Sequence, residues 1–432
     1  MKKNLIIPIT LLLILGFTAP IKSQSLPIVS DSVVLDKLFT LSESQNFFEL
    51  KPTYNQNKEK LSEPDKLYFI SIIENAFSNP RESNIAINKL KDLYPNAIAD
   101  SLMQTLYLLK ALNHTKLYEY DLATQNGEYL LKNYSNVLDS NSIADIENTN
   151  KIWSALKNVP KQKVTRNNDF TMPLVRDIAG LYNVDVILSG TTQHMIFDTG
   201  ADFSAIRRSL VKKFGLTLIK SDFELGTGTE VKVKSDLAVA DRIDIGGITF
   251  ENVVFLVVDD ELMSVPGYDF YGVIGMPVIE AMEEIHITSD DSLFVPKKLT
   301  HYNNNNFALK GLKPIVAVKH KGDNLIFHFD TGANHTSLYL SFLNKYKEAI
   351  ESNYSKIAFS DGSLGGNVNS NGYKISVGLS IAGADVELDN IRVFTDDKND
   401  DGNNVYGNLG QDYIKQFDKM IISFEHSSIL FK

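Results

Sequence analysis

The sequence contains no cysteine among its 432 residues, so it offers no disulfide framework, thiolate nucleophile or cysteine-based metal site. Basic side chains are also in deficit, since 43 Lys and Arg stand against 53 Asp and Glu, giving a formal net charge of -10. No Lys/Arg-rich stripe offsets this balance, and we therefore expect no nucleic-acid partner. The zinc-protease pattern His-Glu-x-x-His and the serine-hydrolase pattern Gly-x-Ser-x-Gly are missing as well.

The chain has few long hydrophobic runs, and the one that stands out is at the N-terminus. Lys2 and Lys3 precede an apolar stretch from Leu5 to Phe17, and small residues follow between Ala19 and Ser23. This order predicts a signal peptide over residues 1–23 and an exported protein, periplasmic or secreted. The apolar stretch is shorter than the roughly 20 residues that span a bilayer, although an uncleaved anchor is the alternative. After cleavage we expect no stable membrane insertion.

Residues 24–158 have the pattern of a helical domain. Ser62-Glu63-Pro64-Asp65 has a capping residue, an early proline and acidic side chains, which together predict a helix start. Helix pairs recur at a spacing of roughly 35 residues, which favours a helical-hairpin array such as the tetratricopeptide type. The Trp, Leu-Gly and Tyr positions of that repeat are not legible, so another helical array stays open. Trp153, the single tryptophan, is interpreted as core or as a docking contact.

The hydrophobic period changes from helical to strand-like beyond a polar linker at Lys157–Asp169. Tyr182, Val184 and Val186 alternate with polar residues, and short apolar runs separated by Gly and Asn turns continue to the C-terminus. A second linker, Pro296–Asn306, divides this part in two. We therefore predict all-β lobes over residues 168–296 and 305–432.

Each predicted lobe carries the same short motif. Ile196-Phe197-Asp198-Thr199-Gly200-Ala201 in the first is matched by His328-Phe329-Asp330-Thr331-Gly332-Ala333 in the second. One Asp-Thr-Gly would be weak evidence, since Asp and Gly mark turns anywhere. Two copies after strand-like runs predict a pair of facing carboxylates. Two carboxylates about 3 Å apart share one proton, so one can act as base and the other as acid.

The repeat extends beyond this motif. Residues 243–253 and 379–391 both read as strand, tight turn and strand, and an acidic loop follows each. Val273-Ile274-Gly275 and Asn408-Leu409-Gly410 come later in the same order. A repeat of this length predicts two similar lobes in one chain. We therefore expect a monomer rather than a symmetric dimer.

These residues resemble the retropepsin/pepsin-like clan of aspartic peptidases, in a bacterial retroviral-type form with two fused lobes, over roughly Phe170 to Lys432. The resemblance implies a multidomain α plus all-β protein, in which a helical domain precedes a two-lobed pepsin/retropepsin-like β-barrel. It implies an aspartic-type endopeptidase, a peptide hydrolase that needs no metal or other cofactor, with Asp198 and Asp330 as the catalytic dyad. It also assigns support of the active-site loops to Thr199, Gly200, Ala201, Ile274, Gly275, Thr331, Gly332, Ala333, Leu409 and Gly410.

Members of this clan cover their substrate with mobile hairpins. The glycine-rich segments that lie after each aspartate and before the repeated strand pair are the flap candidates, and ordinary hairpin turns are the alternative. The candidate residues are Gly226, Thr227 and Gly228 in lobe one and Gly362, Gly365 and Gly366 in lobe two.

Several departures from the clan pattern qualify the resemblance. Asn408 stands where the pattern has an apolar residue. Pro277 follows Gly275-Met276 where the pattern usually has a charged or amide residue, and proline cannot donate a backbone hydrogen bond. Ala201 and Ala333 replace the hydroxyl residues that donate to the carboxylates in acid-acting relatives, which predicts an optimum near pH 5 to 6.5.

Two further interpretations compete with or add to the peptidase. Asp397–Gly402 begins like a calcium loop, but position twelve is Asn408 rather than a bidentate Glu, so a solvated acidic turn is favoured.

The expected partners are a peptide or protein substrate and a protein partner on the helical domain. The alternative function is a non-catalytic peptide- or protein-binding protein that uses the helical domain, with the β lobes as scaffold.

Overall fold

The computed structural model describes residues 29–226, 232–265, 267–363, 366–396 and 404–432. The predicted signal peptide (1–23) and the acidic loop Asp397–Gly402 lie outside the described residues, as do the flap candidates Thr227, Gly228 and Gly365.

The first part of the described chain is helical. Ser62 caps the third helix, because its hydroxyl accepts from the backbone N–H of Asp65 at 3.3 Å, and Asp139 caps the seventh in the same way. The helices of this part are α1 (Ser32–Glu43), α2 (Phe47–Asn57), α3 (Glu63–Ala76), α4 (Pro80–Leu93), α5 (Asp100–Lys116), α6 (Tyr120–Tyr134) and α7 (Ser140–Leu156).

Strands dominate from Lys163 onward. The strands of the first lobe are β1 (Lys163–Thr165), β2 (Phe170–Pro173), β3 (Val175–Arg176), β4 (Tyr182–Leu188), β5 (Thr191–Phe197), β6 (Ser204–Arg207), β7 (Thr217–Gly226), β8 (Lys232–Ile245), β9 (Ile248–Val258), β10 (Ser264–Val265), β11 (Tyr268–Asp269), β12 (Gly272–Ile274), β13 (Glu284–Thr288) and β14 (Ser292–Val295). Its short helices are α8 (Arg208–Lys213) and α9 (Met276–Glu280).

The second lobe repeats this order. Its strands are β15 (Phe307–Lys310), β16 (Lys313–His320), β17 (Asp323–Phe329), β18 (Ser337–Leu338), β19 (Ile357–Ser363), β20 (Gly366–Ile381), β21 (Ala384–Phe394), β22 (Gly407–Leu409), β23 (Lys419–Ser423) and β24 (Ser428–Phe431). Its helices are α10 (Leu340–Asn353) and α11 (Gln411–Ile414). The prediction of a helical region followed by β-rich sheets is confirmed.

The main sheets of the two lobes have matching connectivity. In lobe one β12 lies between β5 and β6, parallel to the first and antiparallel to the second. In lobe two β22 lies between β17 and β18 with the same pair of orientations. In each sheet, the end of the strand before an Asp-Thr-Gly motif therefore lies beside a short strand from much later in the sequence. We call these short strands, β12 and β22, the returning strands.

A third sheet joins the lobes in the order β2-β14-β13-β23-β24. Its central pairing is antiparallel between β13 of lobe one and β23 of lobe two, from Glu284 opposite Ser423 to Thr288 opposite Lys419. One continuous hydrophobic cluster includes buried residues of both lobes. The lobes are therefore two halves of one folded unit.

The helices pack on both lobes. Trp153 and Leu156 of α7 share a cluster with Phe223 and Leu237 of lobe one. Residues of α1 to α6 share another cluster with lobe two, which includes Ile326. In the predicted linker, Lys163–Thr165 forms β1 and pairs with β9 rather than running as irregular chain. Of the helices in the described residues, none is both long and apolar enough to cross a membrane.

Candidate active site

Asp198 and Asp330 each follow the last residue of a buried strand. Phe197 ends β5 and Phe329 ends β17, and both phenylalanines are 0% exposed. The backbone N–H of Asp198 donates to the carbonyl of Ile274 at 3.0 Å, and that of Asp330 donates to the carbonyl of Leu409 at 3.0 Å. The strand cores therefore fix where each aspartate leaves its sheet.

The glycine of each motif lets the two loops approach closely. Gly200 N–H donates to Asp198 Oδ1 at 2.7 Å, and Gly332 N–H donates to Asp330 Oδ1 at 2.8 Å. A Cβ on Gly200 would lie 2.6 Å from Asp330 Cγ, and one on Gly332 would lie 2.3 Å from Asp198 Cγ. Each motif glycine thus packs against the carboxylate of the other lobe, where no side chain fits.

Thr199 and Thr331 connect the loops beneath the carboxylates. The Oγ1 of each accepts from the backbone N–H of the other at 3.0 Å. Thr199 Oγ1 donates to the Phe329 carbonyl at 3.0 Å, and Thr331 Oγ1 donates to the Phe197 carbonyl at 2.8 Å. Both threonines are 0% exposed, so four reciprocal hydrogen bonds hold the two aspartates in register.

The glycines after the returning strands support the loops from behind. A Cβ on Gly275 would come within 2.6 Å of the Phe203 backbone, and one on Gly410 within 2.6 Å of the His335 backbone. The next residues, Met276 and Gln411, donate their N–H groups to the carbonyls of Ala201 and Ala333 at 2.9 and 2.8 Å. The structure therefore gathers all ten predicted loop-support residues around the two aspartates.

Asp330 affects the protonation of Asp198. Desolvation, then the negative charge of Asp330 and hydrogen bonding with it, raise the pKa of Asp198 well above its usual range, against the opposing N–H groups of Gly200 and Ala201. Asp198 therefore keeps a proton at pH values where an ordinary aspartate has lost it.

Asn408 contributes to the site in a way that sequence analysis missed. Its Nδ2 donates to Asp330 Oδ2 at 2.9 Å, the oxygen that the Gly332 N–H does not contact. Ala333 supplies no hydroxyl, and the side-chain donor of Asp330 is Asn408 instead. The only signal was the amide at an apolar position of the repeated motif.

The turns after the returning strands differ between the lobes. Asp412 accepts from the N–H of Thr336 at 2.8 Å and from its hydroxyl at 2.6 Å. At the corresponding place Pro277 lies in the first turn of α9, where its missing N–H removes no helical bond. The Pro277 carbonyl instead accepts from Tyr118 Oη and Gln162 Nε2, both at 2.9 Å. The helical domain is thus bonded to the support of the first loop.

Three flap candidates, Gly226, Gly362 and Gly366, are among the described residues, and each lies at or near the end of a paired strand. Gly226 ends β7, which pairs with β8 up to Lys232. Gly362 pairs with Asn367, and Gly366 begins β20 opposite Ser363. Their role as flaps stays a prediction.

Among the described residues there is no group of three or more His, Asp or Glu side chains that could hold a metal ion.

Part of the chain matches a known protein family. Residues 184–278 match the family described as aspartyl protease, a range that includes Asp198, Gly275 and Pro277. No curated protein matches the chain. A domain of this family indicates protease activity in general. The match therefore confirms a resemblance to aspartic peptidases over residues 184–278.

Proposed function

We propose that the chain is an exported aspartic endopeptidase that hydrolyses peptide bonds with water activated by Asp198 and Asp330. The observation that carries this proposal is the facing position of the two aspartates. Each is held by its own glycine N–H and lies against the motif glycine of the other lobe, and reciprocal threonine bonds join the two loops. Such support keeps two acidic groups together at one spot, where a shared proton is more stable than two charges. Export rests on the N-terminal sequence pattern alone.

The arrangement supplies both halves of amide hydrolysis. The ionised carboxylate takes a proton from the attacking water, while the protonated carboxyl donates its proton to the scissile carbonyl oxygen. Collapse of the tetrahedral diol returns one proton to the dyad and passes the other to the leaving nitrogen. The pair ends with the single proton with which it began, so the proposed reaction needs no cofactor.

The two lobes and the helices have different roles in this proposal. The lobes form a pepsin/retropepsin-like pair of barrels, supported by their matching strand order. The helical domain forms a tetratricopeptide-like array that braces the cleft and offers a protein-binding surface. Bracing is supported by Asn148 of α7, whose Oδ1 accepts from Glu224 N–H at 2.7 Å and whose Nδ2 donates to Glu224 carbonyl at 2.8 Å. Glu224 lies on β7, two residues before the flap candidate Gly226.

A digest of an unstructured protein tests the proposal against the non-catalytic alternative. We expect the mature chain to cut internal peptide bonds at weakly acidic pH, and pepstatin to suppress the cutting because its hydroxyl occupies the position of the attacking water. A chelator should leave the rate unchanged. Absence of cleavage between pH 3 and 8, together with retained peptide binding, would favour the binding protein.

Catalysis should not require dimerisation. Both aspartates belong to one chain, and the threonine cross-links and the pairing of β13 with β23 are intramolecular. We expect specific activity to stay constant on dilution, because a site formed within one chain does not depend on an association equilibrium between chains. A loss of activity that tracks a change from dimer to monomer in light scattering would contradict this expectation.

A further inference from the structure

The returning strands of the two lobes differ at one position beside the aspartates. Val273 of β12 lies opposite Ile196 of β5, whereas Asn408 of β22 lies opposite His328 of β17. The matching topology makes Val273 and Asn408 equivalent positions. An amide therefore stands beside Asp330 where an alkyl group stands beside Asp198.

The amide of Asn408 is oriented toward the carboxylate. Its Nδ2 donates to Asp330 Oδ2 at 2.9 Å, while its Oδ1 is buried and has no hydrogen-bond partner among the described residues. Burying an amide oxygen without a donor costs stability, and an apolar residue such as Val273 avoids that cost. The arrangement indicates that the bond to Asp330 matters more than packing at this position.

We propose that Asn408 is a positioning residue that keeps the negative charge on Asp330 and the shared proton on Asp198. This inference rests on the proposed function. An amide N–H donor stabilises a carboxylate more than a neutral carboxyl group, because the charged form is the stronger acceptor. Asp330 accepts from the Gly332 N–H and from the side chain of Asn408. At the equivalent position in lobe one, Val273 has an alkyl side chain, which cannot donate to Asp198.

The donor from Asn408 distinguishes the base of the dyad from its acid, two roles that the symmetry of the site alone leaves open. Asp330 takes the proton from the attacking water, and Asp198 donates its proton to the carbonyl oxygen. When the diol collapses, the proton on Asp330 goes to the leaving nitrogen and a diol proton returns to Asp198. The raised pKa of Asp198 agrees with this distribution.

Other titratable groups border the pair and need controls. His328 lies two residues before Asp330 and opposite Asn408, and its ring centroid is 6.4 Å from that of Tyr339. His335, on the loop after Asp330, is 69% exposed at its side chain and lies 4.0 Å from Asp412. His328→Gln and His335→Gln identify any limb of the pH profile that belongs to these histidines.

The test exchanges the two equivalent residues. In Asn408→Val, Asp330 loses a donor, so the fully protonated dyad persists to higher pH. We expect the acid limb of kcat/KM to move up by about one pH unit, with a smaller change in the alkaline limb. Val273→Asn adds a donor beside Asp198 and should move the alkaline limb down. A merely structural role would lower activity at all pH values and move neither limb.

A second readout does not depend on activity. In protein with ¹³C-labelled aspartate carboxyl groups, the first deprotonation of the pair should move to higher pH in Asn408→Val, with resonances assigned from Asp→Asn variants. Thermal unfolding reports whether each variant is folded. If the wild type hydrolyses nothing, the proposed function fails and the titration still decides the charge distribution. An active, folded Asn408→Val with an unmoved acid limb and an unchanged titration would overturn the inference.

Discussion

Asp198→Asn and Asp330→Asn should each reduce hydrolysis by at least roughly a thousandfold, because residues that act as one unit lose nearly all function when either is removed. An amide cannot hold or transfer the shared proton. The variants preserve shape, and the threonine cross-links beneath the site do not involve the substituted side chains. The measurement is kcat/KM on an unstructured substrate.

Stability separates loss of chemistry from loss of fold. The pKa of Asp198 is raised in the folded chain, so the folded state holds a proton that the unfolded state releases. Stability from this group is therefore full below the ordinary aspartate range and falls as pH rises toward the folded pKa. Asn removes this dependence, and Asp198→Asn should unfold no more easily than the wild type at neutral pH. Asp241→Asn, at an exposed position of β8, is the matched control and should keep full activity. More than about a tenth of wild-type activity in either dyad variant would contradict the assignment.

The parts of this protein that could be predicted from sequence are those encoded by local patterns. Ser62 carries a capping oxygen and is followed by proline and acids, and α3 begins beside it. The paired Asp-Thr-Gly motifs could be read because glycine is required where the loops meet and because the same requirement occurs twice. The later motifs Val273-Ile274-Gly275 and Asn408-Leu409-Gly410 could be recognised because they, too, occur once in each lobe and in the same order.

The parts that could not be predicted depend on distant partners. Asn408 looked like a mismatch in an apolar motif, since no local pattern reveals that its amide reaches Asp330. Lys163–Thr165 looked like linker because three exposed residues form a strand only when β9 offers its edge. The bond between Asn148 and Glu224 links segments 76 residues apart, beyond the reach of periodicity.

The packing of Trp153 bears on whether the helical domain is removable. Trp153 is 2% exposed, and it shares its cluster with Phe223, Val239 and Val254 of lobe one, all of them 8% exposed or less. Cleavage after the helices would expose this apolar face to water, at a cost of about 25 cal/mol for each Å² uncovered. Removal of the helices would therefore destabilise lobe one beside the hairpin of β7 and β8. We expect the active protein to retain its helical domain.

Trp153→Ala should lower the free energy of unfolding by about 3–5 kcal/mol, since it empties a large buried volume between two domains. Urea denaturation of the full chain measures this loss, and limited proteolysis in residues 157–169 should become faster as the helices separate from lobe one. Trp153→Phe retains much of the volume and should lose less. Val33→Ala, at a helix position that is 77% exposed, should stay within about 0.5 kcal/mol of the wild type. If Trp153→Ala were as stable as Val33→Ala, the packing of Trp153 on lobe one would not hold the helices and that lobe together. Only the hydrogen bonds of Asn148 would then be left to connect α7 with the hairpin of β7 and β8.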